Sequence, residues 1–368
     1  MKKPRRLAIL IAVLILCSSA AQASPISATS SALEMSSIII DKGLTGLSWD
    51  GKEFISSYGI SDVPLINVSL DGQRVTRFAP SFVGKDEVYA AVSQGDAGFP
   101  RGYLYVNSDP SIYRIYPNGS NVQLFSSPPG ASRISYVAFD TVGSWGHLLL
   151  ALDDNGLLWS IKSDGTAKVL DNFSNFGTGA ALKPEGIAVA PQTFGAYGGD
   201  VLITLEGAGR VLAIPPNDTT KVTTIVQFQG EEPERVLQIP PQSDLYVAEY
   251  DTGAMSRVPA ANFSNYVGSM LVITEGESEP AGTFNVLQAT GNNVTMTRIA
   301  SVSGNPHFEG ASFVPSSASA AEGETATSRG PTAVGATPAD LVGGVALLVA
   351  VVILAVFFAS SRGKRPSR

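Results

Sequence analysis

The sequence predicts an all-β chain folded as a β-propeller of four-stranded blades, six in best fit with five or seven also compatible, followed by one C-terminal transmembrane helix. Three observations predict it. Short apolar runs such as GYLYVNS, HLLLALD, DVLITLE and DLYVAEY are broken by Gly, Asn, Asp and Pro at intervals of roughly 8–12 residues, the rhythm of strands and tight turns. Helical periodicity is weak everywhere between the ends. The runs also recur in a fixed order with a long period, which is the mark of a radial repeat.

The repeat is clearest in KPEGIAVAP, GGDVLITLEG, GRVLAIPPN and TKVTTIVQF, four strands joined by short turns. One unit earlier the order is ISYVAFD, GHLLLALDDNG, LLWSIKSDG and AKVLDNF, and before that EVYAAVS, GYLYVNSD, SIYRIYPNG and NVQLFSS. First strands start near residues 45, 87, 135, 185, 234 and 309, a spacing of roughly 42, 48, 50, 49 and 75. A lone four-stranded sheet cannot bury both faces, whereas neighbours packed around an axis can. The long last interval holds DLYVAEYDTGAMSRVPAANFSNYVGSMLVITEG, read as an extra strand pair inserted into one blade. FEGASFVP should close the ring with N-terminal strands in a composite blade.

The segment PEGIAVAP followed by GGDVLIT and GRVLAIPPN resembles the six-bladed propellers of the NHL, gluconolactonase/regucalcin and strictosidine-synthase-like group, over most of residues 40–315. The resemblance implies six blades. In gluconolactonase-like members it also implies a metal in the channel, held by acidic and amide side chains. The wider set of amide and aspartate ligands is not evident here at matching positions.

The ends set the expected topology. KKPRR at 2–6, the run LAILIAVLILC and Ala21-Gln22-Ala23 form a secretory signal over residues 1–23. Cys17, the only cysteine, leaves with it, so the exported chain must rely on core burial rather than disulfides. The propeller is expected over 37–315. Residues 316–338 are small, polar and Pro/Gly-rich, the composition of a disordered stalk. Residues 341–359 carry no charge and are long enough to span a bilayer, and 360–368 form a basic tail that belongs on the cytoplasmic side. The expected partners are the membrane and an extracellular ligand. Net charge is −7 and no basic stretch lies outside the termini, which argues against nucleic acid.

Candidate site residues follow from the repeat. Glu185, Glu234 and Glu309 stand before the first strand in three units, with Ser135 and Glu87 in equivalent places, so the side chains should gather at one mouth of the channel. A ring of carboxylates suits a hard cation such as Ca²⁺, and such an ion can polarise a lactone or ester carbonyl. His307 would be the base beside it. The alternative is that the glutamates accept backbone hydrogen bonds or face solvent. Phe99, Tyr197 and Tyr250 are loop aromatics that would suit binding instead. Asp153-Asp154-Asn155-Gly156 reads as a hairpin turn and His147 as structural. N-x-S/T occurs at Asn67, Asn118, Asn172, Asn217, Asn262 and Asn293, candidate glycosylation sites on an exported chain.

Overall fold

The computed structural model describes residues 33–319, except 41, 60, 278, 279 and 305. The signal, stalk, membrane helix and tail expected from the sequence lie outside the described residues, apart from the first few positions of the stalk. Among the described residues no helix is long and apolar enough to cross a membrane.

Strand β1 (Ser36–Ile39) is left aside by the chain until the ring closes. Blade one is β2 (Leu44–Trp49), β3 (Phe54–Tyr58), β4 (Leu65–Val68) and β5 (Val75–Phe78). Blade two is β6 (Ala90–Val92), β7 (Leu104–Ser108), β8 (Ser111–Ile115) and β9 (Val122–Ser126). Blade three is β10 (Ile134–Phe139), β11 (Leu149–Asp153), β12 (Leu157–Ile161) and β13 (Ala167–Asn172). Blade four is β14 (Pro184–Val189), β15 (Val201–Leu205), β16 (Arg210–Ile214) and β17 (Thr223–Gln227). All neighbouring strands pair antiparallel. The six-bladed propeller is therefore the architecture, and the first strands fall where the repeat puts them.

The last two blades depart from expectation. After β18 (Pro233–Gln238) the chain makes β19 (Ser243–Glu249) and β20 (Ala254–Val258), then β21 (Met270–Thr274), β22 (Ala281–Thr290), β23 (Asn293–Ser303) and β24 (Phe308–Pro315). The sheets are β18-β21-β22-β23 and β24-β19-β20-β1. The extra strand pair is thus no insertion into blade five. It is the middle of blade six, made before blade five is finished. β24 supplies the inner strand of that blade, and from the N-terminus only β1 joins it.

Turns confirm the repeat. Asn118, Asp164 and Asn217 follow β8, β12 and β16, each the third strand of its blade, and Asn262 follows β20, third from the axis in blade six. Asp153 Oδ1 accepts from the N–H groups of Asn155 and Leu157, so this acid locks a hairpin turn. His147 donates its N–H to Asp140 Oδ2, which also holds Trp145 N; it is a structural loop residue. Between blades the faces bury continuous apolar clusters, for instance Leu152, Leu158, Ile187, Val201 and Leu212 between blades three and four. Phe99 is 1% exposed and packs on Tyr105 and Phe139, so it offers no surface to a ligand.

Candidate functional site at the channel mouth

The inner strands stack their side chains around the axis in layers. At the mouth, a β-bulge interrupts the pairing of five inner strands. The register skips one residue between Leu44 and Gly46, Ile134 and Tyr136, Pro184 and Gly186, and Pro233 and Arg235, and in blade six between Phe308 and Gly310. The extra residues are Thr45, Ser135, Glu185, Glu234 and Glu309. A bulge frees a residue from the ladder and re-aims its side chain, which is why the same place carries polar groups in blade after blade. The glutamates are thus the second residues of their strands, not residues before them. Ser57 Oγ and Thr204 Oγ1, partners of Gly46 and Gly186, donate to Val88 O and Glu234 O of the following blade. Val88, not Glu87, is therefore the counterpart of Glu234.

The next layer closes the channel. Its six positions are Gly46, Tyr89, Tyr136, Gly186, Arg235 and Gly310. Gly46 and Gly186 sit where blades touch: a Cβ on Gly186 would lie 2.8 Å from Glu234 O, and one on Gly46 2.7 Å from Val88 O. With glycine on three blades, the other three extend large side chains across the axis. The Arg235 guanidinium lies 4.1 Å from the centre of the Tyr89 ring and 4.7 Å from that of Tyr136, a stacked cation on two aromatic faces. Arg235 is 2% exposed, and its Nη1 donates to Glu185 O.

Arg235 also organises the acids. Its Nη2 is 2.7 Å from Glu234 Oε1 and 3.8 Å from Glu309 Oε2, while Tyr89 donates to Glu309 Oε2 at 3.2 Å. Glu185 faces Arg133 Nη2 at 3.6 Å. The three predicted glutamates do gather at one mouth, but cationic side chains of the protein stand among them. Among the described residues, the ligand atoms that all come within 4.8 Å of one another belong to two other groups, Glu206, Glu234 and Glu275, and Glu275, His307 and Glu309. Glu185 is in neither.

A second ring, missed by the sequence reading, surrounds the first. In blades three to six the residue before the inner strand is tied by backbone hydrogen bond to the residue after the second strand. These ties are Asp154 N to Arg133 O, Glu206 N to Lys183 O, Glu275 N to Glu232 O and Tyr250 N to His307 O. Blades three and four place a base against an acid, with Arg133 Nε 2.9 Å from Asp154 Oδ2 and Lys183 Nζ 2.5 Å from Glu206 Oε1. In blade six the Tyr250 ring packs against His307 in a tilted contact, centres 5.0 Å apart. Blade five puts an acid, Glu232, where its neighbours carry a base. Glu275 instead takes His307 of blade six, whose Nε2 lies 2.9 Å from Glu275 Oε1 and 2.9 Å from Glu309 Oε1. The signal was in the sequence: an acid directly follows the second-strand runs LLALD, VLITL and MLVIT.

The charge states follow from burial and these contacts. Burial is the strongest influence on Glu185 and Glu234 and pushes both carboxyls well above the usual range; Glu87 adds to the effect on Glu185, and Glu309 and Glu185 to that on Glu234, against Arg235. Arg235 feels burial too, but Glu234, Tyr89 and Tyr136 outweigh it and keep it charged. The guanidinium thus holds its charge beside two carboxyls that burial pushes toward protonation. Burial raises Glu206 to about 7 even though Lys183 opposes it. For His307, burial alone would lower the pKa; hydrogen bonds to Glu275 and Glu309 override it and push the imidazole up to about 11. A protonated imidazole has no lone pair to accept a proton, so His307 acts here as counter-cation to two glutamates.

Beyond the Arg235 layer the channel changes character. Two residues further along each inner strand stand Ser48, Ala91, Ala138, Ala188, Leu237 and Ser312, small and uncharged apart from one leucine. They line a cavity of about 300 Å³, with Trp49, Phe139 and Phe313 also among its lining residues and, among the described residues, no Asp, Glu, Lys, Arg or His in its wall.

No family model matches the chain, and no curated protein matches it. Among solved structures, the nidogen/laminin complex shares 14% identity at a TM-score of 0.49, over 74% of this chain and 85% of that one. The extracellular domain of the one component system BT4673 from B. thetaiotaomicron shares 12% identity at a TM-score of 0.43, over 78% of this chain and 37% of that one. Virginiamycin B lyase from Staphylococcus aureus with Quinupristin shares 13% identity at a TM-score of 0.39, over 72% of this chain and 98% of that one. At these identities the likeness concerns fold alone, and the resemblance to NHL and gluconolactonase-like propellers stands at the level of the six-bladed architecture.

Proposed function

We propose that this chain is a surface-displayed, membrane-anchored propeller that works as a binding module rather than as a hydrolase. The observation that carries this reading is the plug. Arg235 and the two tyrosines fill the channel just beneath the acidic mouth, and Arg235, Arg133, Lys183 and His307 already neutralise the carboxylates a metal would need. His307, which a hydrolase would use as base, is held in its cationic form. The signal and membrane helix expected from the sequence would place the propeller outside the cell. Asn118, Asn172, Asn217 and Asn293 are exposed sequons suited to glycan attachment there, whereas Asn67 lies in β4 with its Oδ1 buried.

A calcium-dependent hydrolase of lactonase or esterase type is the second reading, favoured by one feature. Glu206, Glu234 and Glu275 bring oxygens within 4.8 Å of one another, and Glu275 Oε2 is buried without a hydrogen-bond partner among the described residues. The donor type suits Ca²⁺, yet the number falls short of its usual six to eight, and Lys183 and Arg235 lie against two of the three carboxylates. A single experiment separates the readings. The purified chain is given γ-lactone and aryl-ester substrates with calcium or with chelator, and its melting temperature is followed in both. The binding module predicts no turnover above a Glu234→Gln control and no shift on chelation. Calcium-dependent turnover that Glu234→Gln abolishes would establish the hydrolase.

A further inference from the structure

Resting on the binding-module reading, we infer that the uncharged end of the channel, opposite the acidic mouth, is the ligand site, and that it takes a neutral, hydroxyl-bearing ring of monosaccharide size. The cavity of about 300 Å³ lies at the lower end of the range for small-molecule pockets. Every inner strand contributes to it, so the site is a property of the closed ring and not of one loop.

Charge selects the ligand first. With no Asp, Glu, Lys, Arg or His in the wall, an ionic group entering the cavity would lose water and gain no counter-charge, which is costly. The only titratable lining group is Tyr136, and burial raises its hydroxyl further from ionisation.

Shape and polarity select it next. Half-buried Trp49, Phe139 and Phe313 come from blades one, three and six, and each is backed by another ring: Phe54, Phe99 and Phe263 at 5.4, 4.9 and 5.4 Å. Backed rings are fixed apolar surfaces, ready to receive the C–H face of a ring without ordering cost. Between them Gln94, Gln238 and Thr141 offer amide and hydroxyl groups that both donate and accept. A purely apolar ligand would strip those groups of water without replacing their hydrogen bonds. A neutral sugar ring satisfies both halves of the wall: hydroxyls for the amides and an apolar face for the aromatics.

Tryptophan fluorescence tests this, because Trp49 is half-buried at the rim while Trp145 and Trp159 are buried elsewhere. The full chain is titrated with glucose, galactose, mannose and N-acetylglucosamine, with glucuronic acid and glucosamine as charged counterparts, and with indole. The expected result is a saturable change with at least one neutral sugar, and at least tenfold weaker binding of the charged sugars. Ala188→Phe, which fills the cavity, should abolish the change, and Gln238→Ala, at an exposed rim position, should weaken it severalfold with the melting temperature unchanged. The inference is overturned if no neutral sugar saturates, if charged sugars bind equally well, or if a folded Gln238→Ala variant binds as the parent does. Indole binding more tightly than every sugar would remove the sugar assignment and leave the binding module standing. Calcium-dependent turnover in the hydrolase assay would remove the binding module and leave the fluorescence result intact.

Discussion

Replacing Arg235 by methionine keeps much of the side-chain volume and removes the charge that joins the two parts of the channel. The guanidinium is fully buried, lies 2.7 Å from Glu234 Oε1 and stacks on Tyr89 and Tyr136. Removing one member of a buried ion pair costs about 3–5 kcal/mol, because the partner is left charged and without water. Part of that cost here is the cation on two ring faces, about 2 kcal/mol when desolvated. With about 4 kcal/mol lost and roughly 2 °C per kcal/mol for a domain this large, the melting temperature should fall by about 8 °C. The deficit should depend on pH. Glu185 and Glu234 already have raised pKa values, and losing Arg235 raises them further, so acid protonates the stranded carboxyls and removes most of the penalty. Urea denaturation at pH 5 and pH 8 measures both effects, and Arg235→Met combined with Glu234→Gln should recover more than half of the pH 8 loss. A deficit below about 1 kcal/mol at pH 8, or an equal deficit at both pH values, would refute the role given to Arg235.

Parent stability should be highest near pH 5 and decline toward pH 8. Glu206, raised to about 7, and Asp200, raised by burial to about 6, each favour the fold only while protonated, and His307, at about 11, adds stability that fades as pH rises above 6.5; a urea midpoint that rises over this range would contradict it. Below pH 4 the trend should reverse, since the lowered pKa values of Asp71 and Asp244 mean that their stabilising ionised forms are lost in acid. Gly310→Ala should destabilise by about 1–3 kcal/mol, since its Cβ would lie 2.8 Å from Leu47 N across the joint between blades six and one; an unchanged melting temperature would mean that the joint is loose. Protease applied to intact cells should release the propeller, and its protection while the C-terminal tail is digested would reverse the proposed topology.

The strand period made the fold legible because each blade repeats the same physical problem, a sheet with two faces to bury. Inner strands at KPEGIAVAP and HFEGASFVP were found from that repetition alone. The carboxylates were legible as a set, since the bulge holds them at one radius. What stood next to them was not. Arg235 sits in EPERVLQIP as an ordinary basic residue. Only closure of the ring reveals that Gly46, Gly186 and Gly310 leave space for it to reach tyrosines two and three blades away. Glu206 and Glu275 carry no first-strand signal, because each directly follows a second strand. Phe99 was misplaced because a loop aromatic has no period to betray that it folds inward.

The interleaved blades were illegible for a related reason. Strand order along the chain says nothing about which sheet a hairpin joins. DLYVAEYDTGAMSRV has the same alternation wherever it pairs, and only the pairing of Ser243 with Pro315 at one end and Glu249 with Phe308 at the other assigns it to blade six. The consequence is mechanical. Blade five needs β18 and β21, which flank the β19–β20 hairpin, and that hairpin is held by β24 and β1 from opposite ends of the described chain. Blades five and six are therefore tied by more than one chain connection: before the hairpin, after it, and on the return to β24. Such distant pairings slow folding, because long loops must close before their contacts form. They also place a joint crossed by several chain connections beside β18, the strand that carries both Glu234 and Arg235. The buried charges sit beside these crossings and, with Arg235 fully buried, out of reach of water, which is the condition under which an ion pair stacked on two tyrosines keeps its strength.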